Sequence, residues 1–448
     1  MQKLGVSLSR WAEKYIPDPF IFALILTLLT MVLSALFTRH SALSIIGFWY
    51  RGFWDLLAFG MQMSLILITG YALATAPSMK KLVDVLAGFP KNTASAAMLI
   101  ALVAVLTGYL NWGLAIVVAP LLARETARQA LKAGRRLHYP LLGAAAYMGL
   151  AVWHGGFSGS APLTVATAGH FLAGQIGVIP VSQTLFAPVN LVAALVLIPG
   201  IPLLFKILAP AADGKIVSID EVDPDWEVAG RSDSPRAENS PSLAFKLENS
   251  RMLSLTVGML ALVFIVQYFI RNGLRLNLNI VNFSFLFAGI LLHRTPGNYL
   301  RAVSEGVKGA AGIILQFPFY AGIMGIMKFS GLITLFTHFI TSIASPATYP
   351  LLTFASASVV NIFVPSGGGQ WAVQGPVVVA AAKQMGVPVA KAVMAFAYGD
   401  QWTNLFQPFW ALVLLGITRL KASQIMGYCM AVMLVGFFFF AAILLLPL

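Results

Sequence analysis

The groups in this chain best placed to do chemistry are polar side chains that interrupt otherwise apolar segments, and four breaker-rich stretches carry them. The first is Asn111-Trp112-Gly113. The second, residues 154–162, holds His154, Gly155, Gly156, Phe157, Ser158, Gly159, Ser160 and Pro162. The third, residues 361–376, holds Asn361, Pro365, Ser366, Gly367, Gly368, Gly369 and Gln370. The fourth, residues 400–410, holds Asp400, Gln401, Trp402, Asn404 and Gln407. Gly and Pro unwind a helix and free backbone groups. Where the helix restarts, its free N–H groups and the positive end of its dipole favour an anion. The end before the break presents carbonyls, which favour a cation. With Ser, Asn and Gln adding neutral hydrogen bonds, such a pocket can hold a carboxylate without a full buried counter-charge. The aromatic residues Phe157, Phe317, Phe319, Trp371, Trp402 and Phe406 would wall a short apolar tail. The competing account of each stretch is close helix packing through small residues.

Asp400 follows Gly399 in a broken apolar segment, and acids at membrane depth are costly and usually functional. It is expected to take up a proton or to help hold Na⁺; the alternative is a structural partner for a nearby donor. His154 is either a proton site or a ring bonded to a backbone carbonyl. No histidine pair has metal-ligand spacing on one helix, so no metal site is expected. The serines at 158 and 160 lack the strand–turn–helix setting of a nucleophile elbow, so no enzyme is expected. The glycines at 367–369 lack the Lys-Ser/Thr of a phosphate loop. No cofactor is expected beyond a coupling ion.

The elements that position these residues must be membrane helices. Of 448 residues, 58% are hydrophobic and 10% charged, against roughly a quarter charged in soluble domains. Lipid is the solvent that such a surface needs. Helix-length apolar runs and no short-period alternation argue against an outer-membrane barrel. The net charge of +13 reflects basic residues clustered in alternate loops, as the positive-inside effect requires, and not a nucleic-acid surface. The lone Cys429 offers no disulfide within the chain. No signal peptide is read at the start.

Nine crossings are expected, near 19–38, 51–77, 139–167, 183–208, 251–270, 278–295, 306–327, 389–416 and 424–447, those at 139–167 and 389–416 being broken. Segments 92–122 and 349–382 read as re-entrant helical hairpins, and 78–90 and 331–345 as surface arms. The domain reading is an interfacial N-terminal helix at 1–18, a first membrane repeat at 19–208, a cytoplasmic linker at 209–250 with solvated acids, and a connecting helix plus second repeat at 251–448. Gln62, Asn111 and Tyr147 in the first half are echoed at similar spacing by Gln316, Asn361 and Tyr398 in the second. Loop charges place the N-terminus inside and invert the halves, the usual plan of a secondary transporter. The fold class is thus an all-α polytopic membrane protein of two inverted-topology repeats, each with a re-entrant hairpin and a broken transmembrane helix.

Several stretches resemble the bacterial short-chain fatty acid transporter family. They are Pro17-Asp18-Pro19-Phe20-Ile21-Phe22-Ala23, Phe53-Trp54-Asp55-Leu56-Leu57-Ala58-Phe59-Gly60-Met61-Gln62-Met63, Gly155-Gly156-Phe157-Ser158-Gly159-Ser160, Gln316-Phe317-Pro318-Phe319-Tyr320-Ala321-Gly322, Val364-Pro365-Ser366-Gly367-Gly368-Gly369 and Gln401-Trp402. The resemblance spans nearly the whole chain. It implies an inner-membrane carrier of short monocarboxylates such as acetoacetate, butyrate or acetate. Grouping with the larger ion-transporter superfamily implies an elevator-type motion and often a homodimer. The family pattern often has Gly where this chain has His154, and often Glu where it has Asp400, so the resemblance does not make His154 essential. The superfamily's Ser/Asn-rich hairpin tip is missing at 365–369, and its sodium-site geometry is not implied.

The combined expectation is a secondary carrier of short monocarboxylates, coupled to H⁺ or Na⁺ through Asp400. Ser158, Gly159, Ser160 and the tip residues Ser366, Gly367, Gly368, Gly369 and Gln370 would grip the carboxylate. Asn111, Asn361, Gln401 and Asn404 would complete the polar shell, and Gln62 and Gln316 would reach it from neighbouring helices. The alternatives are a carrier of another small anion, such as a dicarboxylate, and a passive anion channel. A dicarboxylate would want Arg or Lys at membrane depth, and the four stretches hold none.

Overall fold

Apolar segments of this length satisfy every backbone group internally only as helices, and the computed structural model is helical without strands among its described residues, which are 19–210, 216–227, 242–405 and 407–445. In chain order the first half comprises α1 (Pro19–Thr38), α2 (Ala42–Gly52), α3 (Leu57–Ala74), α4 (Pro77–Ala87), α5 (Thr93–Leu110), α6 (Trp112–Lys132), α7 (Tyr139–Ala146), α8 (Ser160–Val165), α9 (Ala173–Ile176) and α10 (Pro188–Ile207). The second comprises α11 (Leu243–Glu248), α12 (Arg251–Asn272), α13 (Leu278–His293), α14 (Pro296–Ser330), α15 (Leu332–Ile343), α16 (Tyr349–Phe363), α17 (Gly367–Gln384), α18 (Val389–Asn404), α19 (Pro408–Thr418) and α20 (Ala422–Leu445). Among the described residues, seven helices are long and apolar enough to cross a membrane. The chain is a multi-pass membrane protein.

Two differences from expectation have local causes. The crossing expected at 51–77 is interrupted by a turn over residues 53–56, which separates α2 from α3. The crossing expected at 306–327 belongs to a 35-residue helix that starts at Pro296, where Thr295 caps it by accepting from Asn298 N. Proline at the first helical position suits such a start. The expected interfacial helix at 1–18 lies outside the described residues.

Both expected hairpins are helix–turn–helix units. Asn92 starts α5 with a reciprocal cap, its side chain accepting from Ser95 N while Ser95 Oγ accepts from Asn92 N. Asn111 ends α5 and begins α6 in extended backbone, and its Oδ1 accepts from Leu114 N at 2.9 Å. One residue therefore reverses the chain. The open ends come back together: Arg135 Nη1 donates to Pro90 O at 2.8 Å, and His138 N to Thr93 Oγ1 at 3.0 Å. In the other hairpin Val364, Pro365 and Ser366 form the turn, and Ser366 Oγ accepts from Gly369 N at 3.2 Å. Tyr349, at the first turn of α16, donates to Val378 O on α17 at 2.7 Å.

The segment expected as a solvated linker docks in part. Ile219 is buried, Tyr139 N donates to Val217 O at 2.8 Å, and buried Asp223 pairs with Arg124 of α6. Arg124 also donates to Ile417 O on α19 at 2.9 Å. Asp223 is therefore a buried ion-pair partner and not a solvated acid: its desolvation is offset only because Arg124 is there.

Candidate functional site

The two broken segments are held by side chains from the opposite half. In the first, α7 runs into 3-10 turns at Tyr147–Ala151 and Trp153–Gly155, and the helix restarts as α8 at Ser160. The freed amides of His154 and Gly155 donate to Gln401 Oε1 at 3.1 and 3.3 Å. Gly155 O accepts from Asn190 Nδ2 at 2.8 Å. In the second, α18 stops at Asn404 and α19 restarts at Pro408. Its freed carbonyls, Asn404 O and Gln407 O, accept from the Tyr147 hydroxyl at 2.9 and 2.7 Å. Buried backbone groups need such partners, and each half supplies them to the other.

The tips of both hairpins reach these breaks. Trp112 N donates to Ser158 Oγ at 3.0 Å, and the Trp112 ring meets Trp153 and Trp410 edge-on, with centroids 6.1 and 5.2 Å apart. At the other tip, a Cβ on Gly367 would lie 2.5 Å from Trp153 Cη2 and 2.8 Å from His154 Cε1, and one on Gly368 would lie 3.1 Å from Met63 Cγ. Only glycine lets the tip sit this deep. Between the tips is a cavity of about 20 Å³, the size of a single water site. Its polar wall is Ser160, Ser366, Gly367, Gly368 and Asn404, and its other wall includes Met63, Leu150, Ile313 and Phe317 beside Trp112, Trp153 and Trp410.

The residues that line this space carry hydrogen-bond donors. The amides of Gly367 and Gly368 open α17 and have no acceptor within their own helix. The indole N–H groups of Trp112 and Trp153 are buried without a hydrogen-bond partner. Asn404 Oδ1 is taken by Asn361 Nδ2 at 3.0 Å, which leaves its own amide N–H₂ free to donate. Among the described residues, no Lys or Arg lines the cavity. A single carboxylate fits this set: helix N-terminus, indoles and amide each offer a hydrogen to an anionic oxygen.

Several expected ligands occupy other roles. Asn111 caps α6, and Ser158 anchors the Trp112 amide. Gly159 packs against the His154 carbonyl, and Gly369 against the Tyr320 ring. Asn361 lies within reach of Asp400 O, Thr403 Oγ1 and Asn404 Oδ1, at 2.8, 2.9 and 3.0 Å, and so positions Asn404 from behind. Gln370 turns to Ala357 O and Gln374 of its own hairpin, and Gln401 to the first break. Gln62 donates to Asn279 Oδ1 on α13, away from the cavity, and Gln316 accepts from Tyr320. Of the expected aromatic wall, among the described residues only Phe317 lines the space. Phe157 packs on Tyr109 and Phe186, Phe319 on Phe20, Trp49 and Phe53, Trp371 on Phe396, and Trp402 on Phe354. Phe406 lies outside the described residues. The lining tryptophans were legible only as members of the broken stretches, in Asn111-Trp112-Gly113 and beside His154.

Asp400 is fully buried beside the cavity wall, with Oδ2 2.7 Å from His154 Nδ1. His154 is thus bonded to a carboxylate and not to a backbone carbonyl.

Comparisons with known proteins bear on this site. The family described as short chain fatty acid transporter matches residues 1–446. A protein of Escherichia coli (strain K12), provisionally described as a short-chain fatty acid transporter, is 42% identical over 431 residues, covering 95% of each chain. One of Haemophilus influenzae with the same description is 40% identical over 434 residues, again covering 95% of each. Among solved structures, the Alcanivorax borkumensis YdaH transporter, reported to have an unusual topology, superposes with a TM-score of 0.57 at 15% identity, covering 96% of this chain and 98% of that one. That likeness concerns the fold alone.

Proposed function

We propose that this chain, which belongs to the short-chain fatty acid transporter family, carries short monocarboxylates such as acetoacetate, butyrate or acetate through the cavity between its hairpin tips. The family is one of transporters, not enzymes. The carboxylate sits at the N-terminus of α17, against the Gly367 and Gly368 amides, with Trp112, Trp153, Ser160 and Asn404 as neutral donors. Met63, Leu150, Ile313 and Phe317 take the short tail. The single observation that carries this reading is a cavity lined by residues that carry hydrogen-bond donors and by apolar side chains, with no basic residue on its wall among the described residues. A dicarboxylate would leave its second charge without a partner, at a cost the site cannot offset.

The mechanism is alternating access, with the two halves inverted relative to each other and both hairpins re-entrant. A cavity of about 20 Å³ is too small for any of these acids, so loading requires the tips to part. The two breaks are tied to each other by Gln401, Tyr147 and the His154–Asp400 contact, which supports their moving as one body with the hairpins, elevator-fashion. We place the carrier in the bacterial inner membrane with its N-terminus cytoplasmic, as a homodimer. Counterflow of labelled butyrate in proteoliposomes tests the reading: saturable exchange, competed by acetoacetate and not by succinate, is expected. Flux that neither saturates nor exchanges would mean a channel, and no flux of any short monocarboxylate would end the assignment.

A further inference from the structure

The carboxylate site does not use the contact between His154 and Asp400, although both side chains are fully buried and come from opposite halves. The tautomer of the ring follows from its other nitrogen. His154 Nε2 lies 3.1 Å from the amide nitrogen of Ala161, which can only donate, so Nε2 holds a lone pair. The ring proton is then on Nδ1, and His154 is a neutral donor to Asp400 Oδ2. A neutral donor does not cancel a charge. Asp400 Oδ1 has no hydrogen-bond partner, and among the described residues the side chain forms no ion pair with Lys or Arg. The titratable groups on the elements packed against α18 are Tyr147, Tyr349, Lys383, Tyr428 and Cys429 besides His154. Tyr147 and Tyr349 are bonded to carbonyls, Lys383 to Gln175 O and Tyr428 to His138. None of them reaches the Asp400 carboxylate.

A bare carboxylate in this position wants a proton or a cation on Oδ1. Its surroundings suit the proton. The Trp153 ring stacks on His154 with centroids 4.3 Å apart, and Phe396 meets it edge-on at 5.9 Å. A hard cation needs a cage of oxygens, whereas the one partner of this carboxylate among the described residues is a ring N–H. A proton needs one lone pair. The link to the substrate is the His154 ring itself, which packs directly on Gly367, a residue of the cavity wall. A carboxylate on the Gly367 amide would be separated from Asp400 by that ring. Two negative charges so close in a dry interior repel strongly, and protonation of Asp400 removes one of them.

We propose that Asp400 carries the coupling proton on Oδ1, that His154 is its positioning residue, and that the carboxylate and the proton bind together. This rests on the carboxylate site proposed above.

The test is titration calorimetry of butyrate into the purified full-length protein, in buffers of differing ionisation heat. Their slope counts protons taken up on binding. At pH above the midpoint of its binding profile, the wild type is expected to take up about one proton per butyrate and to bind about tenfold more weakly for each further pH unit. Replacing Na⁺ by choline should change nothing. Asp400→Asn should bind butyrate with no proton uptake and no pH dependence. His154→Gln should keep the proton count and move the midpoint, whereas a merely structural residue would lower affinity equally at every pH. Wild-type binding without proton uptake, a Na⁺ requirement, or proton uptake retained in Asp400→Asn would overturn the proposal. Absence of butyrate binding in the wild type would instead overturn the substrate reading. Should Asp400→Asn fail to fold, the wild-type slope and Asp400→Glu decide, since the longer acid should keep the proton and shift the midpoint.

Discussion

Substitution of Gly367 by Ala probes the depth of the hairpin tip. The added Cβ would stand 2.5 Å from Trp153 Cη2 and 2.8 Å from His154 Cε1, against roughly 3.5–4.0 Å for relaxed carbon contacts. About 1 Å must be found, and neither ring is free to yield. Trp153 and His154 are stacked at 4.3 Å with planes 21° apart, Phe396 closes the far side, and Asp400 holds the imidazole. Overpacking of this kind costs about 1–3 kcal/mol. The strain falls on the seated tip, whose amides are the proposed carboxylate ligands, so apparent affinity for butyrate should fall by roughly 5–150-fold, each 1.4 kcal/mol being a decade. Gly200→Ala is the matched control: it lies within α10, and its Cβ would meet nothing within 4 Å. It should transport as wild type and be slightly more stable, since Ala outranks Gly in a helix. The assay is butyrate counterflow across a concentration series, with thermal melting to confirm folding. A folded Gly367→Ala protein with unchanged KM and maximal rate would show that the tip does not form the site.

Trp153→Phe keeps a ring but removes the partnerless indole N–H. It should weaken butyrate binding by about 10–150-fold, the loss of a hydrogen bond to a charged group, while raising Tm because a buried orphan donor is gone; equal affinity in counterflow would exclude the indole as a ligand. Tyr147→Phe removes the hydroxyl that donates to Gln407 O and leaves Asn404 O only the Gln407 amide, and should lower stability by about 1–3 kcal/mol, read as a drop in Tm. His138, at the mouth of α7 outside the spans, accepts from Val217 N through Nδ1 at 3.2 Å and so must be neutral to hold the docked linker segment. Burial pushes its pKa below the ordinary 6.5, with Glu221 opposing. The unfolded or undocked state therefore binds the proton first, and the contribution is complete above pH 6.5 and is lost as pH falls below it. Hydrogen exchange at Val217 should quicken below that pH in the wild type and be fast at all pH in His138→Ala; a pH-independent wild type would refute the linkage.

Much of the architecture is legible because membrane helices write their length and apolarity into the sequence. The hairpins could be read from Asn111 and from Pro365 to Gly369, where a breaker sits in the middle of a span. The turn at 53–56 was not, since Phe53, Trp54 and Leu56 continue the apolar run around Asp55. The docked linker was missed for a similar reason. Asp223 reads as one acid among many until Arg124, far away in sequence, is brought to it. Composition records how much charge a segment carries, and it holds no information on which charges the fold will bury.

The site shows the sharper limit. A polar residue in a broken membrane helix has two possible employers, the ligand and the freed backbone, and the sequence signal is the same for both. Asn111, Ser158 and Gln401 went to the backbone because a buried amide without a partner is costly whether or not a substrate is present. That demand is met first, and what remains for a ligand is the group the fold leaves over: two glycine amides that no cap reaches, two indoles, one asparagine amide. Gly367, Gly368 and Asn404 were among the residues expected there, whereas the indoles were not, since tryptophan reads as apolar wall. His154 illustrates the converse. As a lone histidine it looked equally suited to a carbonyl, and only the fold's placement of Asp400 at 2.7 Å, with Ala161 N–H occupying its other nitrogen, fixes which proton it holds and what that proton is for.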